Sequence, residues 1–234
     1  ATDWMEEYVL RYGGEAQYTA WWKGKLAWSS PTVQKAAKKF AEVALTKGNV
    51  NGGGKAIAAT GFGTTAALFA TGKSKCFMMR QGSFITDFFP DAIKAAYKAN
   101  DFTNVGVFKL PAPAGTTDAV LGGGDLAAAF DDNAATQKVL NFILSDKLGQ
   151  GEMLKTYPSY LSAHKTFPSA GYANPITKKI AGILATAKLF GFDGSDLAPA
   201  VVNATEWKEL TNWISGKKTQ KQAFDAIDAS WNKA

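Results

Sequence analysis

Residues 76–86 read CFMMRQGSFIT, and they indicate both a fold class and a ligand class. The apolar run at the start of the segment predicts a β-strand. Hydrogen-bonding groups and an aromatic ring follow directly at the end of that strand, at Arg80, Gln81, Gly82, Ser83 and Phe84. A sugar needs donors and acceptors for its hydroxyls and apolar walls for its C–H faces, so this combination suits a neutral polyhydroxylated ligand. The stretch therefore predicts a carbohydrate site.

A second aromatic segment lies near the carboxyl end, where residues 204–216 read ATEWKELTNWISG. The pattern predicts a helix from about Thr205 to Ser215. Trp207 follows a polar stretch in the first turn, where a large ring can reach out of the core. Trp213 has Leu210 and Ile214 beside it, which is typical of a core position.

Four segments together resemble a known family: DWMEE at 3–7, MRQGSF at 79–84, VLGGGD at 120–125, and the helix of residues 206–216. In this order they resemble the solute-binding proteins of sugar-importing ABC transporters. The resemblance is closest to the oligosaccharide-binding group, which includes the maltose- and alpha-glucoside-binding proteins. It covers nearly the whole chain.

The resemblance implies a function and a set of ligand-binding residues. The chain is expected to bind a carbohydrate, such as an alpha-glucoside oligosaccharide, and to deliver it to ABC permease subunits without performing chemistry and without a cofactor. The ligand-binding residues carried over from the family are Trp4, Arg80, Gln81, Gly82, Ser83, Phe84, Gly123, Asp125 and Trp207. The implied location is extracytoplasmic, in the periplasm or lipid-anchored at the cell surface.

The resemblance also implies a fold, namely the helix-rich α/β carboxyl-terminal lobe of a two-lobe periplasmic-binding-protein-like protein. Residues 1–121 and 157–234 are expected to form this lobe, and residues 122–156 to be a crossover segment that packs on the amino-terminal lobe. Nothing in the chain corresponds to an amino-terminal lobe or a signal peptide, so we expect a truncated form that lacks high-affinity closure around the ligand.

Composition bounds these expectations. With 234 residues, 46% apolar and 12% aromatic, the chain can bury a substantial core. Its net charge of +6 comes almost entirely from dispersed lysines, with Arg11 and Arg80 as the only arginines. Nucleic-acid recognition relies on clustered arginine, so we expect no nucleic-acid partner. The single cysteine, Cys76, excludes an internal disulfide framework.

Local signals predict a helix-rich α/β architecture. A first helix begins at Thr2 or Asp3 and ends at Gly13–Gly14, and a second short helix follows through Trp21–Trp22. Further helices begin at Ser30–Pro31, at Asp132 or Asn133, at Asn174–Pro175 and at Thr219. A short helix is expected around 64–70. Strands are predicted at 76–79, 105–110 and 126–130.

Several residues also have structural interpretations, and two other function classes stay open. Arg80 suits a salt bridge as well as a ligand, Gln81 and Ser83 can satisfy turn backbone, and Phe84 or Trp4 can be core residues. The loop 122–125 has no following Lys-Ser/Thr, so a phosphate loop is disfavoured. The single histidine, His164, makes a zinc site improbable. A stand-alone carbohydrate-binding module is one alternative. A glycoside-processing enzyme is another, with carboxylates drawn from Asp3, Glu6, Glu7 and Asp125.

Overall fold

A computed structural model describes residues 1–67, 76–99, 101, 103, 105–172 and 174–233. The described residues group into two compact units, each built from separated segments of the chain. Unit 1 comprises residues 1–61, 111–123 and 187–234, and unit 2 comprises residues 62–110 and 124–186. The helix-rich α/β class is confirmed, because helices dominate and the strands that form are parallel.

The described residues of unit 1 form a two-stranded parallel sheet, six α-helices and a short 3-10 helix at Trp231–Lys233. The strands are β1 (Ala119–Gly122) and β2 (Leu189–Phe192), paired with Ala119 opposite Leu189 and Gly122 opposite Phe192. The helices are α1 (Thr2–Trp22), α2 (Pro31–Ala44), α3 (Gly53–Ala59), α9 (Gly194–Leu197), α10 (Ala200–Ile214) and α11 (Gln220–Ser230).

The helix boundaries of unit 1 follow from local chemistry. Gly14 has φ 65°, so α1 is two helical segments joined at a kink, as the Gly13–Gly14 pair predicts. Pro31 occupies the first turn of α2 after extended Ser30. Thr219 and Gln222 form a reciprocal capping box that begins α11. The glycine-rich stretch 48–54 has the composition of a turn, yet α3 begins within it at Gly53.

A row of aromatic rings fills the core of unit 1. The ring of Trp28 lies 4.9 Å from that of Trp21 and 4.8 Å from that of Phe224. Trp213 continues the row, 5.5 Å from Phe224 and 5.8 Å from Phe40. Each pair is tilted or edge-to-face, the arrangement that aromatic quadrupoles favour. The row joins α1, α2, α10 and α11, so the two ends of the chain share one core.

A buried ion pair ties α1 to β1. The Arg11 Nε donates to Glu7 Oε1 at 2.7 Å, and its Nη2 donates to the carbonyl oxygen of Ala119 at 3.0 Å. Both side chains are almost fully buried. Charge-assisted hydrogen bonds of this kind fix the register of α1 over the strand pair.

Unit 2 contains five helices around a smaller core. They are α4 (Phe62–Ala66), α5 (Asp91–Lys98), α6 (Ala134–Ile143), α7 (Glu152–Thr156) and α8 (Pro175–Ala185), with a 3-10 helix at Ser83–Phe88. Asn133 caps α6, and Asn174 caps α8, both as predicted. The core is formed by Ala66, Ile85, Phe89, Ile93, Val105 and Ile176. In both units, no described helix has the length and apolarity that a membrane crossing requires.

The three strands predicted from apolar runs are wrong. Residues 77–79, 105–110 and 126–130 have no strand pairing, and Cys76 makes only an isolated bridge. Phe77 is 88% exposed and Phe130 is 99% exposed, so the first and third runs are largely exposed, whereas Val105 of the second run is buried in the core of unit 2. A short apolar run becomes a strand only where a partner strand can take its backbone hydrogen bonds, and that partner is not encoded locally. The helix expected at 64–70 is α4, with residues 68–70 outside the described chain.

Candidate functional site

The carboxyl ends of the two parallel strands meet at one edge of unit 1. Asp193, which follows β2, donates its backbone N–H to the carbonyl oxygen of Gly122 at 2.9 Å. A Cβ placed on Gly123 would lie 3.8 Å from the Cβ of Asp193. In open α/β folds, ligands bind at the carboxyl ends of parallel strands. The predicted site residue Gly123 therefore lies at this edge, beside an aspartate that the sequence analysis did not select.

Two buried glutamates lie behind this edge. Glu6 of α1 is fully buried, and Glu206 of α10 is nearly so. Burial raises the pKa of Glu6 to about 8, and the negative charge of Asp193 adds to the effect. Burial also raises the pKa of Glu206 to about 8, with Glu6 and Asp193 as the next causes. Three acidic side chains from three elements therefore influence one another within unit 1.

The turn after β2 is held by Asp193. Its Oδ1 accepts from Ser195 Oγ at 2.9 Å and from Asp196 N at 3.3 Å, so it caps the short helix α9. Burial raises the pKa of Asp196, and the negative charges of Asp193 and Asp3 raise it further. The edge is therefore acidic. No group of three or more His, Cys, Asp or Glu side chains among the described residues has an arrangement that could hold a metal ion.

The two tryptophans predicted to contact ligand differ in their surroundings. Trp4 is half-buried, with its ring 5.9 Å from Tyr8 and 6.2 Å from Phe40, so it packs against the core of unit 1. Trp207 is 58% exposed on α10 and directly follows the buried Glu206. Trp213 is only 7% exposed, which confirms its prediction as a core residue. Of the two predicted platforms, Trp207 presents the larger free surface.

Unit 2 carries a cluster of three phenylalanine rings, Phe62, Phe84 and Phe88, named here the phenylalanine cluster. The ring centroids lie 5.8 Å apart for Phe62–Phe84, 5.3 Å for Phe62–Phe88 and 6.5 Å for Phe84–Phe88, all edge-to-face. All three side chains are among the exposed large hydrophobic residues. Exposed aromatic rings that pack on one another offer a preformed apolar surface.

The polar residues before Phe84 serve partly local structure. Gln81 accepts from the N–H of Gly82 through its Oε1 at 2.8 Å, and the carbonyl oxygen of Ser83 accepts from Thr86 Oγ1 at 3.1 Å. A Cβ on Gly82 would come within 2.9 Å of the Phe84 ring, so glycine allows the loop to approach that ring. Arg80 is half-buried. These residues follow an exposed segment rather than the buried strand on which their prediction was based.

Asp125, the remaining predicted residue, is exposed in the loop that precedes α6. It is assigned to unit 2, and Gly123 is assigned to unit 1. The crossover loop therefore divides between the two units at residues 123 and 124.

The sequence did not identify several residues that lie at these sites, although for one of them, Glu6, it contained a usable indication. Phe62 and Phe88 join Phe84 only after the chain folds, and their spacing carries no motif. Glu6 had a usable signal, because it shares a helical face with Val9 and Leu10, and a carboxylate on an apolar face is unusual.

Comparison with known proteins adds an independent line of observation. The alpha-glucosides-binding periplasmic protein AglE of Rhizobium meliloti is 30% identical over 233 residues, which are 99% of this chain and 50% of that protein. The osmoprotective compounds-binding protein GgtB of Synechocystis sp. is 29% identical over 232 residues, which are 98% of this chain and 53% of that protein. No family model and no solved structure matches the chain.

The chain therefore spans about half the length of the curated relatives it matches. Both relatives are named as binding proteins, and their similarity covers all four segments that suggested the family. The resemblance drawn from the sequence is confirmed: over nearly its whole length the chain is similar to solute-binding proteins of ABC transporters, of which it spans about half.

Proposed function

We propose that this chain is part of an extracytoplasmic solute-binding protein that captures a carbohydrate, most specifically an alpha-glucoside, for an ABC importer. The observation that carries the proposal is the similarity over 233 residues to a protein named for binding alpha-glucosides. The sequence itself adds polar side chains followed by an aromatic ring, which suit a polyhydroxylated ligand.

The phenylalanine cluster supports a sugar ligand in unit 2. Phe84 offers a face to the C–H side of a sugar ring, and Phe62 and Phe88 hold that face in place through edge-to-face packing. Arg80 lies four residues before Phe84, and its guanidinium can donate to hydroxyls. In unit 1, Trp207 provides a separate exposed ring and Gly123 an accessible strand edge.

A second lobe completes this function. We infer that residues 1–121 and 157–234 belong to the carboxyl-terminal lobe, and that residues 122–156 pack on an amino-terminal lobe corresponding to the unmatched half of the relatives. A ligand that contacts both lobes stabilises the closed state, which the permease subunits then recognise. Without the second lobe, binding is weak.

The carboxylates favour binding over glycoside cleavage. Of the four considered for catalysis, Glu6 is fully buried and Glu7 is engaged by Arg11, so neither can protonate a glycosidic oxygen. Asp125 is exposed, and Asp3 is half-buried. This distribution agrees with relatives that are named as binding proteins.

Ligand-detected NMR on the 234-residue chain tests the proposal. We expect maltose and related alpha-glucosides to bind with dissociation constants in the millimolar range, about −4 kcal/mol. Beta-linked glucosides and glycine betaine, an osmoprotectant without a sugar ring, should bind more weakly. The sugar should be recovered unchanged, since its cleavage would favour the enzymatic alternative.

A pair of variants tests the site itself. Phe84→Ala should weaken alpha-glucoside binding by about tenfold, because a stacking face is lost. Phe108, another exposed phenylalanine of unit 2, provides the matched control, and Phe108→Ala should bind like the wild type. Equal effects of the two variants would remove the phenylalanine cluster from the site, and binding of glycine betaine alone would refute the sugar assignment.

A further inference from the structure

Glu6 is enclosed at the junction of α1 with the turn that follows β2. Its Oε2 lies 2.9 Å from the hydroxyl oxygen of Tyr18 and 2.5 Å from the backbone nitrogen of Gly194. Its Oε1 is buried and makes no hydrogen bond of good geometry in the described part of the chain, since the nearby Ser195 hydroxyl, which lowers the pKa of Glu6, donates to Asp193 Oδ1 at 2.9 Å. An ionised carboxylate with one oxygen unsatisfied at zero exposure is costly, whereas a neutral carboxylic acid in the same position costs far less.

The hydrogen bonds of Tyr18 also indicate that Glu6 is protonated. Its hydroxyl carries one hydrogen, yet it lies near two acceptors, the carbonyl oxygen of Phe192 at 2.7 Å and Glu6 Oε2 at 2.9 Å. The Phe192 carbonyl can only accept, so its contact is a hydrogen bond only if Tyr18 donates to it, whereas the contact with Glu6 can also be made by a hydrogen on a protonated Glu6. The contact between Tyr18 and Glu6 then requires a hydrogen on Glu6. A protonated Glu6 that donates to the Tyr18 oxygen completes the chain of hydrogen bonds.

The charged groups around Glu6 are predominantly negative. Asp193 acts on it from the turn and Glu206 faces it from α10, while Asp196 of α9 interacts with Asp193 and Asp3. Strand β1, with the sequence AVLG, contributes no titratable side chain.

The cations of α1 and α2 act elsewhere. Arg11 is engaged with Glu7 and the Ala119 carbonyl, and Lys35 lies over the Tyr12 ring. Lys39 pairs with Glu42 and acts on Tyr8. This distribution of charge favours a proton on Glu6 over an ionised form.

We propose that Glu6 is a protonated carboxylic acid at neutral pH that donates to Tyr18 and so leaves the tyrosine hydrogen to the Phe192 carbonyl, and that proton release at alkaline pH draws this hydrogen to Glu6 and loosens the strand edge beside Gly123. The turn also holds the end of β1 through the bond from Asp193 N to the Gly122 carbonyl. Loss of the proton therefore acts at the point where the chain passes from unit 1 into unit 2. This is a pH-sensitive latch built into the fold, and it does not depend on which solute is bound.

The sign of the effect follows from linkage. Burial raises the pKa of Glu6 from its ordinary value of 4.5 to about 8. Stability from the bound proton is thus fully present below the ordinary value and is lost as the pH rises through about 8. Glu206 does not reverse this sign, because burial raises its pKa as well and its ionisation adds negative charge beside Glu6.

Thermal unfolding of the 234-residue chain between about pH 6 and pH 9 tests the latch. The wild-type Tm should fall by about 5 to 10 °C over this range. Glu6→Gln keeps the shape of the neutral acid and can donate to Tyr18, so it should fold and lose the share of this fall that Glu6 contributes, about half, because burial also raises the pKa of Glu206 to about 8. Glu209→Gln is the matched control, since Glu209 is equally buried on α10 but is paired with Lys218 at 2.5 Å. The control should retain the alkaline fall.

Infrared difference spectroscopy decides the question even if Glu6→Gln does not fold. The wild type at neutral pH should show a protonated carboxyl C=O band that persists in Glu206→Gln and disappears on titration to alkaline pH. The proposal is overturned if that band is absent at neutral pH in Glu206→Gln. It is also overturned if the wild-type Tm is flat over this range, or if Glu6→Gln folds and shows the same alkaline fall.

Discussion

Replacing the two tryptophans of α10 by alanine gives a sharp test of how this helix is oriented. Trp207 and Trp213 are six residues apart, so at about 100° per residue they lie about 120° apart around the helix axis. Trp213 is buried against Phe40 and Phe224, whereas Trp207 is mostly exposed. The same substitution in one helix therefore removes a core side chain in one case and a surface ring in the other.

The difference in stability can be worked out from this burial. Truncating a buried tryptophan costs about 3 to 5 kcal/mol, and the two edge-to-face partners of Trp213 favour the upper part of that range. With 58% of Trp207 exposed, the area it buries corresponds to at most about 2 kcal/mol, and the better helix propensity of alanine offsets part of that. We expect Trp213→Ala to be less stable than Trp207→Ala by about 3 kcal/mol.

Urea denaturation followed by circular dichroism measures the difference, with the slope m checked for constancy between variants. Alpha-glucoside binding, measured on the same samples below the transition, should weaken in Trp207→Ala if its ring contacts ligand. Equal losses of stability in the two variants would show that α10 is rotated relative to its described position. A larger loss in Trp207→Ala would refute the packing of this helix altogether.

Three further changes test other parts of the molecule. Gly54→Ala should lower the free energy of unfolding by about 1 to 3 kcal/mol in urea denaturation, because the added Cβ would meet the carbonyl oxygen of Ile214; Gly61→Ala, in open space, should be within about 0.5 kcal/mol of the wild type. Arg80→Lys should weaken sugar binding in NMR titrations while keeping Tm, because lysine lacks the planar fork of donors; a lower Tm with intact binding would make Arg80 structural instead. Thr219→Ala should cost about 1 kcal/mol in thermal unfolding by removing the cap of α11, and a neutral result would contradict the capping box.

The helices that the sequence predicted well are those with a local start signal. Asn133 and Asn174 each accept hydrogen bonds from the first turn of their helix, and Thr219 does the same within a capping box. Such signals lie within three or four residues, so they act whatever the rest of the chain does. Proline in the first turn of α2 belongs to the same class.

Strands could not be predicted in this way, because pairing joins distant segments. Leu189 pairs with Ala119 seventy positions earlier, and no local feature of either segment indicates with which segment it pairs. The apolar run at 76–79 looked more like a strand than β2 does. Hydrophobic pattern alone does not distinguish a paired strand from an exposed apolar segment.

The candidate site was predictable to the same limited degree. The sequence separated Trp213 as a core residue from Trp207 as a surface residue, because neighbouring leucine and isoleucine mark the buried face. It could not predict the rings beside Phe84 or the contact of Glu6 with Tyr18, which arise only from tertiary packing. The roles of the selected residues in ligand binding stay predictions.

The shared core of the two chain ends has a consequence for biosynthesis. The N–H of Trp28 donates to the carboxylate of Asp228, two hundred positions later, and the Trp28 ring packs on Phe224. During translation, the apolar faces of α1 and α2 that pack on α11 therefore stay exposed until α11 has left the ribosome. Unit 2 can fold during this time. Proteins with such long-range closure fold slowly and expose aggregation-prone surface while they wait. Helices α1 and α2 are thus the segment of this chain on which a holding chaperone would act.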